Sequence, residues 1–176
     1  MLVKGLLISP LSLLVLISVL VTDANKAIAA NENKPFKPLS AAACNQIKQD
    51  MMKTLQVKVT KTKSPFQIVG TNQKGMGCHL MAQATGKNLK SFSEVVNKME
   101  TMLTSKGWIK DGKNGADGPG ETMRIFRKGN NVSMLMVTIK PLNANQCPSN
   151  QPISSCLEKL QPKEIIYSII LNSATP

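Results

Sequence analysis

A chain of 176 residues with 22 Lys and Arg against 10 Asp and Glu carries a formal net charge of +12, with one histidine and only 3% aromatic residues. Single-stranded nucleic-acid binders stack bases on aromatic platforms that this composition cannot build, and the lysines are scattered without a long run, so nucleic acid is a poor partner. The basic excess instead favours anionic lipid or envelope polymer, with plain solubility as the duller explanation.

The first residues read as an export signal. Lys4 is followed by an apolar run, Gly5 to Val21, and Ala27-Ile28-Ala29 offers the small-x-small pattern of a signal-peptidase site. Cleavage is expected after Ala29, with Ala30 as the near alternative. An uncleaved anchor is the rival, since the run is close to the roughly 17 residues a spanning helix needs. Pro10 within the run and the cleavage site behind it favour a signal peptide over residues 1–29 and no membrane span after cleavage. A lipoprotein reading of Ala41-Ala42-Ala43-Cys44 places its cysteine too far from the apolar run. The expected location is therefore periplasmic or extracellular.

Residues 30–39 are polar and contain two prolines, as in a flexible leader, and residues 40–176 have the length of one domain. Ser40 caps an expected helix to about Leu55, with Cys44, Ile47, Met51 and Leu55 on one face. The period then becomes two. Val57 to Lys63 reads as an edge strand whose Lys58, Lys61 and Lys63 guard it against stray pairing, ending at Ser64-Pro65. Phe66 to Val69 is a short apolar run. Gly75 to Ala84 is a strand with Cys78, Leu80 and Ala82 on one face and His79, Met81 and Gln83 on the other.

Ser91 to Trp108 is the most fully specified helix. Ser91 and Glu94 make a capping box, and Phe92, Val95, Val96, Met99, Met102 and Leu103 form one apolar stripe. Gly107 stops it, pairing Leu103 with Trp108 as in a Schellman motif. Lys110 to Gly120 is rich in glycine and is expected to be a loop. Glu121 to Lys128 and Val132 to Lys140 flank Gly129-Asn130-Asn131 as a hairpin. Leu142 to Gln161 looks irregular, and Ile165 to Leu171 is apolar enough for an interior strand.

Four cysteines in an exported chain read as two disulfides. The short loop favours Cys147–Cys156, which leaves Cys44–Cys78 to tie the first helix to a strand. The sum is a two-layer α+β domain: a mostly antiparallel sheet of about five strands, with two helices on one face.

Catalytic signals are thin. Any Ser-His-Asp or Cys-His arrangement must use His79, and its neighbour Cys78 points to the opposite face of the strand. Asp111, Asp117 and Glu121 do not follow calcium-loop spacing, and Gly115 to Gly120 lacks the Gly-Lys-Ser/Thr ending of a phosphate cradle. The 10 methionines are more informative. If Leu135, Val137 and Ile139 meet the helices, Met134 and Met136 share the other face with Met81 and His79. Such a face suits Cu(I) or a promiscuous partner, while methionine as core filler accounts for most of it. No metal or cofactor is expected.

The chain thus reads as a non-enzymatic exported binding protein. Its contact residues would be Lys58, Lys61, Lys63, His79, Met81, Met134 and Met136, and its partner an anionic envelope polymer or lipid, or another exported protein. The alternatives are a subunit of a larger exported assembly, or a small hydrolase using His79 with residues 111–121.

Overall fold

The computed structural model describes residues 34–68, 71–148 and 150–176, so the expected signal segment lies outside the described residues. The end of the supposed flexible leader belongs to the fold. β1 (Lys37–Pro38) pairs with the last strand, and Phe36 and Leu39 on either side of it are buried. Phe36 is held because its ring meets Phe66 edge-on at 4.7 Å, closing a small second core with Ile68, Ile125, Val132 and Ala174.

α1 (Ala41–Leu55) is capped by Ser40, whose hydroxyl accepts from the Ala43 amide at 3.2 Å. It buries Cys44, Ile47, Met51 and Leu55, the stripe legible in the sequence. β2 (Val59–Gln67) runs straight through Ser64 and Pro65 rather than stopping there. Proline is tolerated because β2 is an outer strand, where a missing ladder donor costs little. β3 (Lys74–Thr85) turns back along it.

α2 (Phe92–Ser105) begins with the Ser91 hydroxyl accepting from the Glu94 amide at 3.1 Å. The Glu94 carboxylate returns to the Lys90 amide at 2.7 Å, one residue ahead of the cap. The stop is a Schellman motif: Gly107 has φ +81, Trp108 N–H donates to the Leu103 carbonyl at 3.1 Å, and Gly107 N–H to Thr104 at 3.0 Å. Leu103 and Trp108 are both buried in the main core.

The glycine-rich stretch expected as a loop is a strand, β4 (Ile109–Gly118), paired with β5 (Glu121–Lys128) and interrupted by a register shift between Asp111 and Ala116. Pro119-Gly120 then makes the reversal, with Gly120 at φ +76 as the third position of a type II turn requires. β6 (Asn131–Pro141) follows a two-residue Gly129-Asn130 turn with Gly129 at φ +55. The supposedly irregular segment contains a short helix, α3 (Ile153–Leu157), before β7 (Ile165–Thr175).

The strands form one seven-stranded sheet in the order β2-β3-β7-β6-β5-β4, with β1 off this path against β7. These pairings are antiparallel. The sheet exceeds the expected five strands because β1 and β4 join through backbone pairing their side chains do not announce. β7 is central, which is why its sequence is so apolar. The main core lies between α1, α2 and one sheet face, with Leu80, Leu103, Leu135 and Ile169 at 0% exposure. Burying each contributes about 2 kcal/mol. Both expected disulfides form: Cys44–Cys78 fastens α1 to β3, and Cys147–Cys156 closes the segment before α3 ends. Among the described residues no helix is long and apolar enough to cross a membrane.

Candidate functional site

The alternation of β3 and β6 places their two sets of side chains as the sequence implied. Cys78 and Leu80, with Leu135 and Val137, enter the main core, while His79, Met81, Met134 and Met136 stand on the face that α1 and α2 leave open. Cross-strand register brings them together around β7. One row runs His79, Asn172, Met134, and the next runs Met81, Ile170, Met136, Met123. Met81 is 39% exposed, whereas Met134 and Met136 are half-buried and Met134 also leans on the small second core. Two buried polar atoms in this area lack partners among the described residues, His79 Nδ1 and Asn172 Oδ1.

Lys61 and Lys63 lie apart from that face on the outer strand β2, and Lys58 lies one residue ahead of it. All three are exposed. Lys61 and Lys63 share the parity of buried Val59 and therefore point to the helical side, where the Lys61 ammonium donates to the Asn45 side chain of α1. No ion pair involves Lys58, Lys61 or Lys63 among the described residues.

The acids lie elsewhere and are largely taken. Glu100 holds Lys110 at 2.7 Å and Arg124 at 3.3 Å, Asp117 holds Arg124 at 2.8 Å, and Asp111 holds Arg127 at 3.1 Å. The Thr122 hydroxyl, with the Arg124 guanidinium behind it, keeps the Asp117 carboxyl below its ordinary range. Lys98 and the Lys90 amide do the same for Glu94. Surface pairs of this kind add little stability. Their consequence is distributional: on α2, β4 and β5 the charges of Lys98, Lys110, Arg124 and Arg127 are paired, while β2 contains no acid and the single acid of α1, Asp50, turns to Lys106 at 3.3 Å.

A groove of about 760 Å³ between α1 and α2 was not anticipated. Ser93, Asn97, Thr101 and Ser105 recur every fourth residue along α2 and face Asp50 and Thr54 of α1 across it. That polar stripe was readable, but a groove exists only once the two helices meet. Among the described residues, its ion pairs, Glu94–Lys98 at 2.9 Å and Asp50–Lys106, leave Lys53 as the one lining lysine outside an ion pair.

His79 and the 111–121 stretch do not meet. β3 and β4 are separated by β7, β6 and β5, about 19 Å at ordinary strand spacing. Among the described residues no group of three His, Cys, Asp or Glu could hold a metal ion. Comparison of the chain with protein-family models, curated proteins and solved structures returns no match.

Proposed function

We propose that this is an exported, non-enzymatic protein that binds an anionic envelope polymer or lipid surface along its β2 edge. The observation that carries the reading is the segregation of charge: Lys61 and Lys63 on a strand that has no acid, and Lys58 one residue ahead of it, stand exposed and without ion pairs among the described residues. A field of unneutralised ammonium groups attracts polyanions and is screened over about 10 Å at 0.1 M salt. Two disulfides and an apolar leader with a small-x-small cleavage site support export.

Co-sedimentation with anionic and with neutral vesicles, and with insoluble envelope polymer, tests the proposal. Retention on the anionic matrices at low salt that fades as salt rises is the expected result. Equal retention on neutral vesicles, or none on any matrix at low salt, overturns it.

A further inference from the structure

We propose that the open face of the sheet binds a soft monovalent cation, Cu(I), between β3 and β6 with β7 as the floor. This site is separate from the lysine edge and independent of it. The rows His79–Asn172–Met134 and Met81–Ile170–Met136 put one imidazole and three thioethers at the corners of a rectangle. By ordinary strand geometry its sides are about 7 Å along the strands and about 10 Å across β7. Methionine side chains have three rotatable bonds, so the sulfurs can fold inward over Ile170 from both sides.

The donor set selects the ion. Thioether and imidazole suit Cu(I), whereas harder ions want carboxylates, and this rectangle has none at its corners. Thiolates cannot compete, because all four cysteines are in disulfides. A monovalent ion also adds the least charge to an already basic chain.

The two partnerless atoms give the site its orientation. Asn172 is 4% exposed, and its amide nitrogen is anchored to the Ser64 hydroxyl at 3.3 Å and the Pro65 carbonyl at 3.1 Å. That fixes which way the amide points and leaves Oδ1 over Gly77 without a partner, two residues along β3 from Asn172's cross-strand neighbour His79, whose Nδ1 is buried and equally unpartnered. The two atoms are not hydrogen-bonded to each other in this structure; a turn of the His79 ring that hands an Nδ1 proton to Asn172 Oδ1 would leave the Nε2 lone pair for the metal. Ligating histidines usually hand their other N–H to an acceptor of this sort. Asn172 is thus a positioning residue and His79, Met81, Met134 and Met136 are the ligands.

Competition for Cu(I) between the disulfide-intact protein and a chromophoric chelator, under inert gas, tests the site. One equivalent should be withdrawn with a dissociation constant below micromolar. His79→Ala, and separately the paired Met134→Leu and Met136→Leu, should weaken it at least 100-fold. Met76→Leu, exposed but outside both rows, should not change it. The nitrogen-15 shifts of the His79 ring should place the metal on Nε2 and the proton on Nδ1. No withdrawal at micromolar protein, or equal affinity in all variants, overturns the site. Metal on Nδ1 overturns the role given to Asn172.

Discussion

The amide of Asn172 in β7 crosses over Gly77 in β3 and donates to the Pro65 carbonyl of β2 at 3.1 Å. One side chain thereby links three strands, and it can do so because position 77 has no side chain: a Cβ there would strike Asn172 Oδ1 and crowd the Phe66 ring. Gly77→Ala should therefore displace the amide and cost about 2 kcal/mol, the loss of a buried polar arrangement. Gly112→Ala, where a Cβ meets nothing within 4 Å, should shift stability by under about 0.5 kcal/mol. Urea unfolding of both variants checks the contrast.

The two disulfides should differ in weight. Cys44–Cys78 closes 34 residues of sequence separation and Cys147–Cys156 closes 9. Loop-closure entropy gives about 4 kcal/mol for the first and about 2.5 kcal/mol for the second. Paired Cys→Ala variants unfolded in denaturant should show that order, and a costlier loss at 147 and 156 would contradict it.

The stop of α2 should be sensitive to one methyl group. Gly107 sits at φ +81, where alanine is strained by about 1–2 kcal/mol. Leu103→Ala, which empties a fully buried position under Trp108, should cost about 3 kcal/mol. The chain has one tryptophan, so its fluorescence follows unfolding of this unit without interference.

Two ends of the pH scale should act differently. Burial, with some help from the Glu94 charge, raises the Tyr167 phenol above its ordinary value. Its contribution to stability is complete below the unfolded value and is lost as pH rises through the folded one. Tyr167 is the sole tyrosine, so tyrosinate absorbance should appear late and together with unfolding. Glu94 and Asp117 are shifted down, so their contributions hold above the unfolded carboxylate values and fade as pH falls through the lowered ones. Both are solvent-screened, so the acid effect should be small and shrink in salt. A late tyrosine titration without loss of structure would contradict the first expectation.

Much of the fold was legible because certain residues report their own environment. Ser91, Glu94, Leu103, Gly107 and Trp108 each state a position in a helix, and the alternation around His79 and Met134 assigns both faces of two strands. β4 was not legible: glycines and Asp111 to Asp117 carry no period of two, and the strand exists because β5 offers it a backbone ladder. Phe36, a lone aromatic in a polar stretch, has a place only through Phe66, thirty residues on. The lysine edge was half legible. Its place on an outer strand was readable from the lysines themselves, but the exposure of Lys61 and Lys63 on the parity of buried Val59, and their freedom from acids with Glu100, Asp111 and Asp117 claimed elsewhere, depended on the tertiary structure.

The most direct measurement compares two triple variants for binding to anionic vesicles at low salt. Lys58→Gln, Lys61→Gln and Lys63→Gln together should lose most of the binding. Lys140→Gln, Lys159→Gln and Lys163→Gln, which remove the same charge from exposed sites away from β2, should keep most of it. Equal losses in the two would mean that net charge alone, and not this edge, draws the polyanion.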